Sequence, residues 1–216
     1  MDKSNTPSRL IVNPLMSLFR KIFGLKDNAE EHIKNDERGK YMPEIKLPID
    51  EKFTINFKAN GGKFLYCENM QEINDSLNEI LKENKWADKN AYILDERLKT
   101  LFKGFSFNCT KKAPEATYFF STCEYLISDD GSLLISSNQI AEKKLKELPP
   151  NFIIYATTSQ LVESIGEGLR GIKGKNREKI PTNITTIKHF KTLDEKDFLS
   201  YGSSSKNLYL LLLEDL

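Results

Sequence analysis

Two carboxylates, a glycine and a hydroxyl stand in a row at Asp129-Asp130-Gly131-Ser132, between the short apolar runs Tyr125–Ile127 and Leu133–Ile135. Adjacent carboxylates that face each other repel, which raises the pKa of one and equips the pair for acid–base work. In a tight turn neighbouring side chains point apart, so binding is the better expectation here than proton sharing. Asp-Gly between strand-like runs predicts a two-residue type I′ hairpin turn, because both central residues of that turn need positive φ and these two tolerate it. Such a hairpin brings Asp129, Asp130, Ser132, Ser136 and Asn138 to the rim of a sheet, where polar groups make a plausible site. The same residue types are also what turns use for purely conformational reasons.

A second candidate is Ala156-Thr157-Thr158-Ser159, directly after the strand-like run Phe152–Tyr155. Thr157 and Gln160 have capping-box spacing, which predicts a helix with the apolar face Leu161, Val162, Ile165, Leu169 and Ile172. A strand that runs into a capped helix presents free N–H groups and the positive end of a dipole to an anion. Ordinary N-capping accounts for the same residues. The glycines from Gly166 to Gly174 follow that helix instead of opening one, so they read as helix termination and a flexible basic arm with Arg170, Lys173, Lys175, Arg177 and Lys179. Without interleaved aromatics that arm reads as a solvated loop. His189 has no activated nucleophile beside it in sequence, which argues against a general-base role. Dinucleotide, P-loop, metalloprotease and nucleophile-elbow motifs do not occur.

Composition narrows the classes. The chain of 216 residues carries 32 basic and 31 acidic side chains, a net charge of +1. That balance argues against a dedicated nucleic-acid binder, which usually carries a clear basic excess. Cys67, Cys109 and Cys123 are widely spaced, contain no CxxC pair, and sit in apolar contexts that suit reduced, buried thiols in a cytoplasmic protein. No cofactor or metal site of its own is expected. No apolar run approaches the roughly 18 residues needed to span a bilayer.

The elements that must position these residues follow from periodicity. Residues 1–50 read as a flexible N-terminal segment: a polar leader, a short amphipathic helix at about 15–26 with basic flanks, and the charged linker Asp27–Lys40. Pro43 and Pro48 mark Tyr41–Asp50 as extended. The helix could pack onto its own domain or another copy of the chain, dock on a partner, or lie weakly on an anionic membrane surface. The folded domain is placed at 51–216. Within it, strands are expected at Phe64–Cys67, Ala91–Leu94, Phe105–Phe107, Phe152–Tyr155, Ile184–Ile187 and Leu208–Leu213. A helix from Asn69 carries Met70, Ile73, Leu77, Ile80 and Leu81 on one face, and a shorter one runs through Leu98 to a stop at Gly104. Near-continuous apolar strands separated by helices mean an α/β sheet covered on both faces, mixed because of the hairpin.

Four segments together resemble a known family. They are Phe57–Phe64 with Gly61-Gly62, the hairpin Leu126–Ile135, Leu148-Pro149-Pro150 with the strand after it, and Pro181–Ile187. From about Phe57 to the C-terminus the chain resembles the LUD (lactate-utilisation) domain family. The resemblance implies a three-layer α/β/α domain with a mixed sheet, like the ribose-phosphate isomerase, glucosamine-phosphate deaminase and CoA-transferase group. The family's Glu-Thr-Gly-Thr stands here as Asp129-Asp130-Gly131-Ser132. Its Gly-Pro-Ser-x-Thr loop is replaced by Lys188–Thr192, and its His-Gly-Pro by Ser203-Ser204-Ser205. In the related CoA-transferases a glutamate in an equivalent turn forms a thioester, and Asp129 stands nearest that position, one methylene shorter.

Two functions are carried forward. The resemblance implies an accessory protein, not catalytic on its own, that binds a small organic acid or phosphorylated metabolite and works with iron–sulfur partners in lactate oxidation. Its ligand site would combine Asp129, Asp130, Gly131 and Ser132 with Thr157, Thr158 and Ser159, with Ser203 on the rim. The other function is a non-catalytic interaction module that docks through its N-terminal helix.

Overall fold

The computed structural model describes residues 47–190 and 206–215. The chain divides into two units, 1–47 and 48–216. The expected N-terminal helix at 15–26 and the charged linker lie outside the described residues, as does Ser203.

The described chain opens on a helix, α1 (Ile49–Ala59), where an extended segment was expected as far as Asp50. Pro48 forbids a helix interior but suits its start, since a missing N–H costs nothing in the first turn. Four residues apart on one face, Phe53 and Phe57 are both fully buried. They stack at 5.3 Å and extend into an aromatic group with Phe64 and Phe190.

β1 (Lys63–Cys67) leads into α2 (Met70–Glu83). Asn69 caps α2 by accepting from the Glu72 N–H at 3.0 Å, and Glu72 reaches back to the Glu68 N–H at 2.9 Å. Ile73, Leu77, Ile80 and Leu81 are the buried face, as their spacing predicts. β2 (Asn90–Tyr92), α3 (Glu96–Leu101), β3 (Asn108–Cys109) and β4 (Tyr118–Thr122) follow. Phe105 and Phe107 form no strand. Their rings stack at 5.7 Å in the connection before β3 and pack on the core from its edge. Alternation of aromatic and polar residues there reflects one packed side, not a ladder.

The hairpin strands are β5 (Tyr125–Ile127) and β6 (Ser132–Ile135), followed by α4 (Ser137–Ile140) and β7 (Asn151–Thr157). β8 (Leu161–Val162), α5 (Ile165–Lys175), β9 (Thr185–Ile187) and β10 (Asn207–Leu213) complete the fold. Helix was expected straight from Thr157. Instead a single 3-10 turn (Thr158–Gln160) gives way to β8, and the helix starts only after the Ser164 cap. Ile165 and Leu169 are therefore exposed, and Gly168 and Ile172 face inward.

Six strands form an all-parallel sheet in the order β1-β10-β7-β4-β2-β3. Its central strands bury both faces. Tyr118, Phe120, Ile153, Tyr209 and Leu211 pack against α2 and α3. Phe119, Phe152, Leu208, Leu210 and Leu212 are buried as well, and Phe119 meets Phe152 at 5.0 Å. The result is a three-layer α/β domain. The hairpin does not join this sheet. It builds a second, mixed sheet in the order β8-β5-β6-β9, with β5–β6 and β6–β9 antiparallel. Among the described residues, no helix is long and apolar enough to cross a membrane.

Candidate functional site

The hairpin is real, but its turn differs from the expected one. Tyr125 pairs with Leu134 and Ile127 with Ser132, leaving the four-residue loop Ser128–Gly131. The Gly131 N–H closes it onto the Ile127 carbonyl at 2.9 Å. Gly131 has φ 67°, whereas Asp130 keeps a negative φ, so the loop is not type I′. The reason lies outside the hairpin: its tip is docked on α1. Asn56 Nδ2 donates to the Ser128 carbonyl at 2.8 Å, and Asn60 Nδ2 to the Asp130 carbonyl at 2.7 Å.

The side chains of this turn are engaged within the protein. Asp129 pairs with Lys52 at 2.5 Å. Asp130 accepts from the Ser132 hydroxyl at 2.6 Å and lies 3.5 Å from Lys188. Ser132 is fully buried. The two carboxylates therefore point to different cations.

At the end of β7 an anion does sit where free donors were expected, and it belongs to the chain itself. Asp215 Oδ1 accepts from the Thr158 hydroxyl and the Ser159 N–H, both at 2.8 Å, and Oδ2 from the Ser159 hydroxyl at 2.7 Å. Desolvation would raise the Asp215 pKa, but these hydroxyl and amide donors outweigh it and hold it below the usual carboxylate range. Thr157 closes the capping box with Gln160, whose Oε1 accepts from the Thr157 N–H at 2.8 Å. The Thr157–Ser159 turn and the hairpin tip share no hydrogen bond among the described residues. His189 is exposed, and its carbonyl accepts from the Lys206 N–H.

A different constellation lines an open cleft of about 400 Å³. It lies toward the carboxyl ends of the parallel strands, the general place for ligands in open α/β sheets. Thr122 ends β4, Tyr155 comes from β7, Asp95 and Arg97 come from the start of α3, and Leu98 and Leu101 form an apolar wall. The connection from β4 to β5 contributes Cys123 and Glu124, α4 contributes Asn138 and Gln139, and α5 contributes Lys175. None of the seven described candidates from the sequence lines it. Asn138, expected at a sheet rim, does.

Its electrostatics are mixed. Asp95 holds Arg97 through paired contacts of 2.8–3.2 Å, and those side-chain bonds keep the Asp95 carboxyl below its ordinary pKa. Lys175 Nζ lies 4.7 Å above the Tyr125 ring and has no carboxylate partner among the described residues. Glu124 accepts from the Ser136 hydroxyl at 2.6 Å and the Asn138 amide at 2.9 Å. Burial pushes the Cys123 thiol up, so it stays protonated and unreactive. Cys67 is buried too, whereas Cys109, on the short edge strand β3, is exposed where a buried thiol was expected.

Glycines allow α5 to carry Lys175 to the cleft, contrary to the expectation of a loose arm after a helix. A Cβ on Gly171 would lie 2.2 Å from the Tyr125 hydroxyl, and one on Gly168 3.0 Å from Leu134. A Cβ on Gly174 would meet nothing within 4 Å. Two substitutions in one helix should therefore have opposite signs. Gly171→Ala should destabilise by about 1–3 kcal/mol through overpacking, and Gly174→Ala should stabilise by roughly 0.5–1 kcal/mol through helix propensity. Urea unfolding of both variants checks this; equal signs would refute the packing account.

The family model described as LUD domain matches residues 51–213. The crystal structure of a DUF162 family protein from Deinococcus radiodurans superposes with a TM-score of 0.52 at 15% sequence identity, covering 77% of this chain and 96% of that one. At that identity the likeness concerns the fold. No curated protein matches the chain. With three quarters of its length matched by the family model, the chain belongs to the LUD domain family.

Proposed function

We propose that this protein is an accessory factor of the lactate-utilisation type. It binds a small organic acid or phosphorylated metabolite and works in the cytoplasm beside iron–sulfur oxidoreductases, which supply the redox centres. The ligand occupies the cleft at the strand ends instead of the hairpin turn, whose donors and acceptors are already engaged within the fold. One observation carries this reading: Lys175 presents an ammonium without a carboxylate partner among the described residues at a cleft of about 400 Å³. A small acid gives that cation its counter-charge, and the Leu98 and Leu101 wall accommodates its carbon skeleton.

Isothermal titration calorimetry against L-lactate, pyruvate, sugar phosphates and inorganic phosphate tests it. At least one of these should bind, and Lys175→Ala should weaken that binding by about tenfold or more, the worth of one charge-assisted hydrogen bond. Absence of binding by all of them, or equal binding by Lys175→Ala, would reject the cleft as the site.

A further inference from the structure

Glu124 holds its two carboxylate oxygens in different states. Oε1 accepts from the Ser136 hydroxyl at 2.6 Å and the Asn138 amide at 2.9 Å. Ser136 is itself fully buried and tied to Gln139, so this anchor fixes the direction of the carboxylate. Oε2 receives no donor among the described residues. It is not sealed in the interior either, because the one orphaned buried side-chain oxygen among the described residues is Asp50 Oδ1. Glu124 lines the cleft, so its unfilled oxygen is an acceptor open to whatever enters there.

An ionised carboxylate accepts hydrogen bonds and donates none. A ligand group that meets Oε2 must bring a proton; a ligand carbonyl would set lone pairs against lone pairs and strip the carboxylate of water without replacing it. Lys175 offers the opposite polarity on the same cleft. We propose that Glu124 is the specificity-determining residue of the cleft. It selects small acids that carry a hydroxyl or ammonium group next to their carboxylate over the 2-oxo acids of the same skeleton. Lys175 takes the ligand carboxylate and Glu124 takes the neighbouring donor. The inference rests on the acid-binding reading of the cleft and adds which acids it admits.

The test is a calorimetric comparison of three matched three-carbon acids on the intact chain: L-lactate with a hydroxyl, L-alanine with an ammonium, and pyruvate with an oxo group. L-lactate or L-alanine should bind at least about tenfold more tightly than pyruvate, because the site leaves a charged acceptor unmatched under the oxo group. Glu124→Gln should erase or reverse that preference. With its carbonyl oxygen held by Ser136 and Asn138, the new amide nitrogen faces the cleft and donates, which suits an oxo group. Thermal unfolding of the variant near the wild-type midpoint establishes that the fold is intact, and the wild-type comparison needs no variant at all. Equal affinities for the three acids, or an unchanged preference in Glu124→Gln, overturn the role of Glu124 while leaving the cleft an acid site. Binding of none of the three overturns the role of Glu124, and the cleft itself falls only if the sugar phosphates and inorganic phosphate fail to bind as well.

Discussion

Gly131→Ala is expected to destabilise the domain by about 3 kcal/mol or more, and to lower Tm by roughly 6–12 °C at the usual 2–4 °C per kcal/mol for a domain of this size. Two causes add. The residue sits at φ 67°, where a Cβ costs roughly 1–2 kcal/mol. The Cβ would also lie 2.3 Å from the Phe57 nitrogen and 2.4 Å from the Asn56 carbonyl carbon. These are backbone atoms of α1 and cannot rotate aside, so the hairpin tip must lift off the helix. Lifting it breaks the Asn56 and Asn60 bonds to the turn. Gly131→Asn separates the two causes, because asparagine tolerates positive φ but keeps the Cβ. It should be nearly as damaging as alanine. A near-normal Tm for Gly131→Asn would mean that backbone conformation alone matters and that the hairpin does not depend on close contact with α1.

Lys206 should make the stability of this protein rise steeply in mildly alkaline solution. The side chain is 4% exposed. Its Nζ donates to the Leu148 and Pro149 carbonyls at 3.1 Å and lies 5.1 Å from the Phe152 ring centroid. Desolvation pushes its pKa from 10.5 down to about 8. Below pH 8 the lysine is charged in both states, and the folded state bears the whole cost of burying the charge. Between about pH 8 and 10.5 the unfolded chain binds more protons than the folded one, so stability rises with pH. Above that range the group is neutral in both states and the cost is gone.

The full swing is about 3 kcal/mol, from a lowering of roughly 2.5 pKa units at 1.36 kcal/mol each. Lys206→Met removes it. The stability difference between wild type and Lys206→Met, from urea unfolding at a series of pH values, should move in favour of the wild type by that amount between pH 7.5 and 10.5. Other lysines and tyrosines titrate in both proteins and cancel. A difference that stays flat over the range would show that the two carbonyls hold the ammonium in its charged form at no net cost.

Much of the fold was legible because its signals are local. The apolar runs Phe152–Tyr155 and Leu208–Leu213 became β7 and β10, adjacent at the centre of the sheet, since a run apolar at every position must be covered on both faces. Asn69 and Glu72 announced α2, because the cap of a helix is satisfied within a few residues of chain. The resemblance carried by Phe57–Phe64, the hairpin and Pro181–Ile187 led to the family that the match over 51–213 establishes. Local signals misled where tertiary packing overrode them. Pro48 argued for extended chain, yet α1 begins directly after it. The Gly166–Gly174 stretch argued for a loose arm, yet α5 needs two of those glycines to lie against Tyr125 and Leu134.

The candidate site divides along the same line. By itself the sequence determined that Asp129–Ser132 forms a turn and that Thr157 and Gln160 form a capping box, since both depend on neighbours in the chain. Only the tertiary structure decided where those groups point: Asp129 to Lys52, Asp130 to Ser132 and Lys188, and Thr158 and Ser159 to Asp215. It also assembled the cleft from Asp95, Glu124, Asn138, Tyr155, Gln160 and Lys175. No spacing rule links these residues, because they meet through the order of strands in the parallel sheet and the separate docking of the hairpin sheet. Hydrogen-bonding capacity is a property of a residue, but whether it is left over for a ligand depends on every neighbour that folding brings to it.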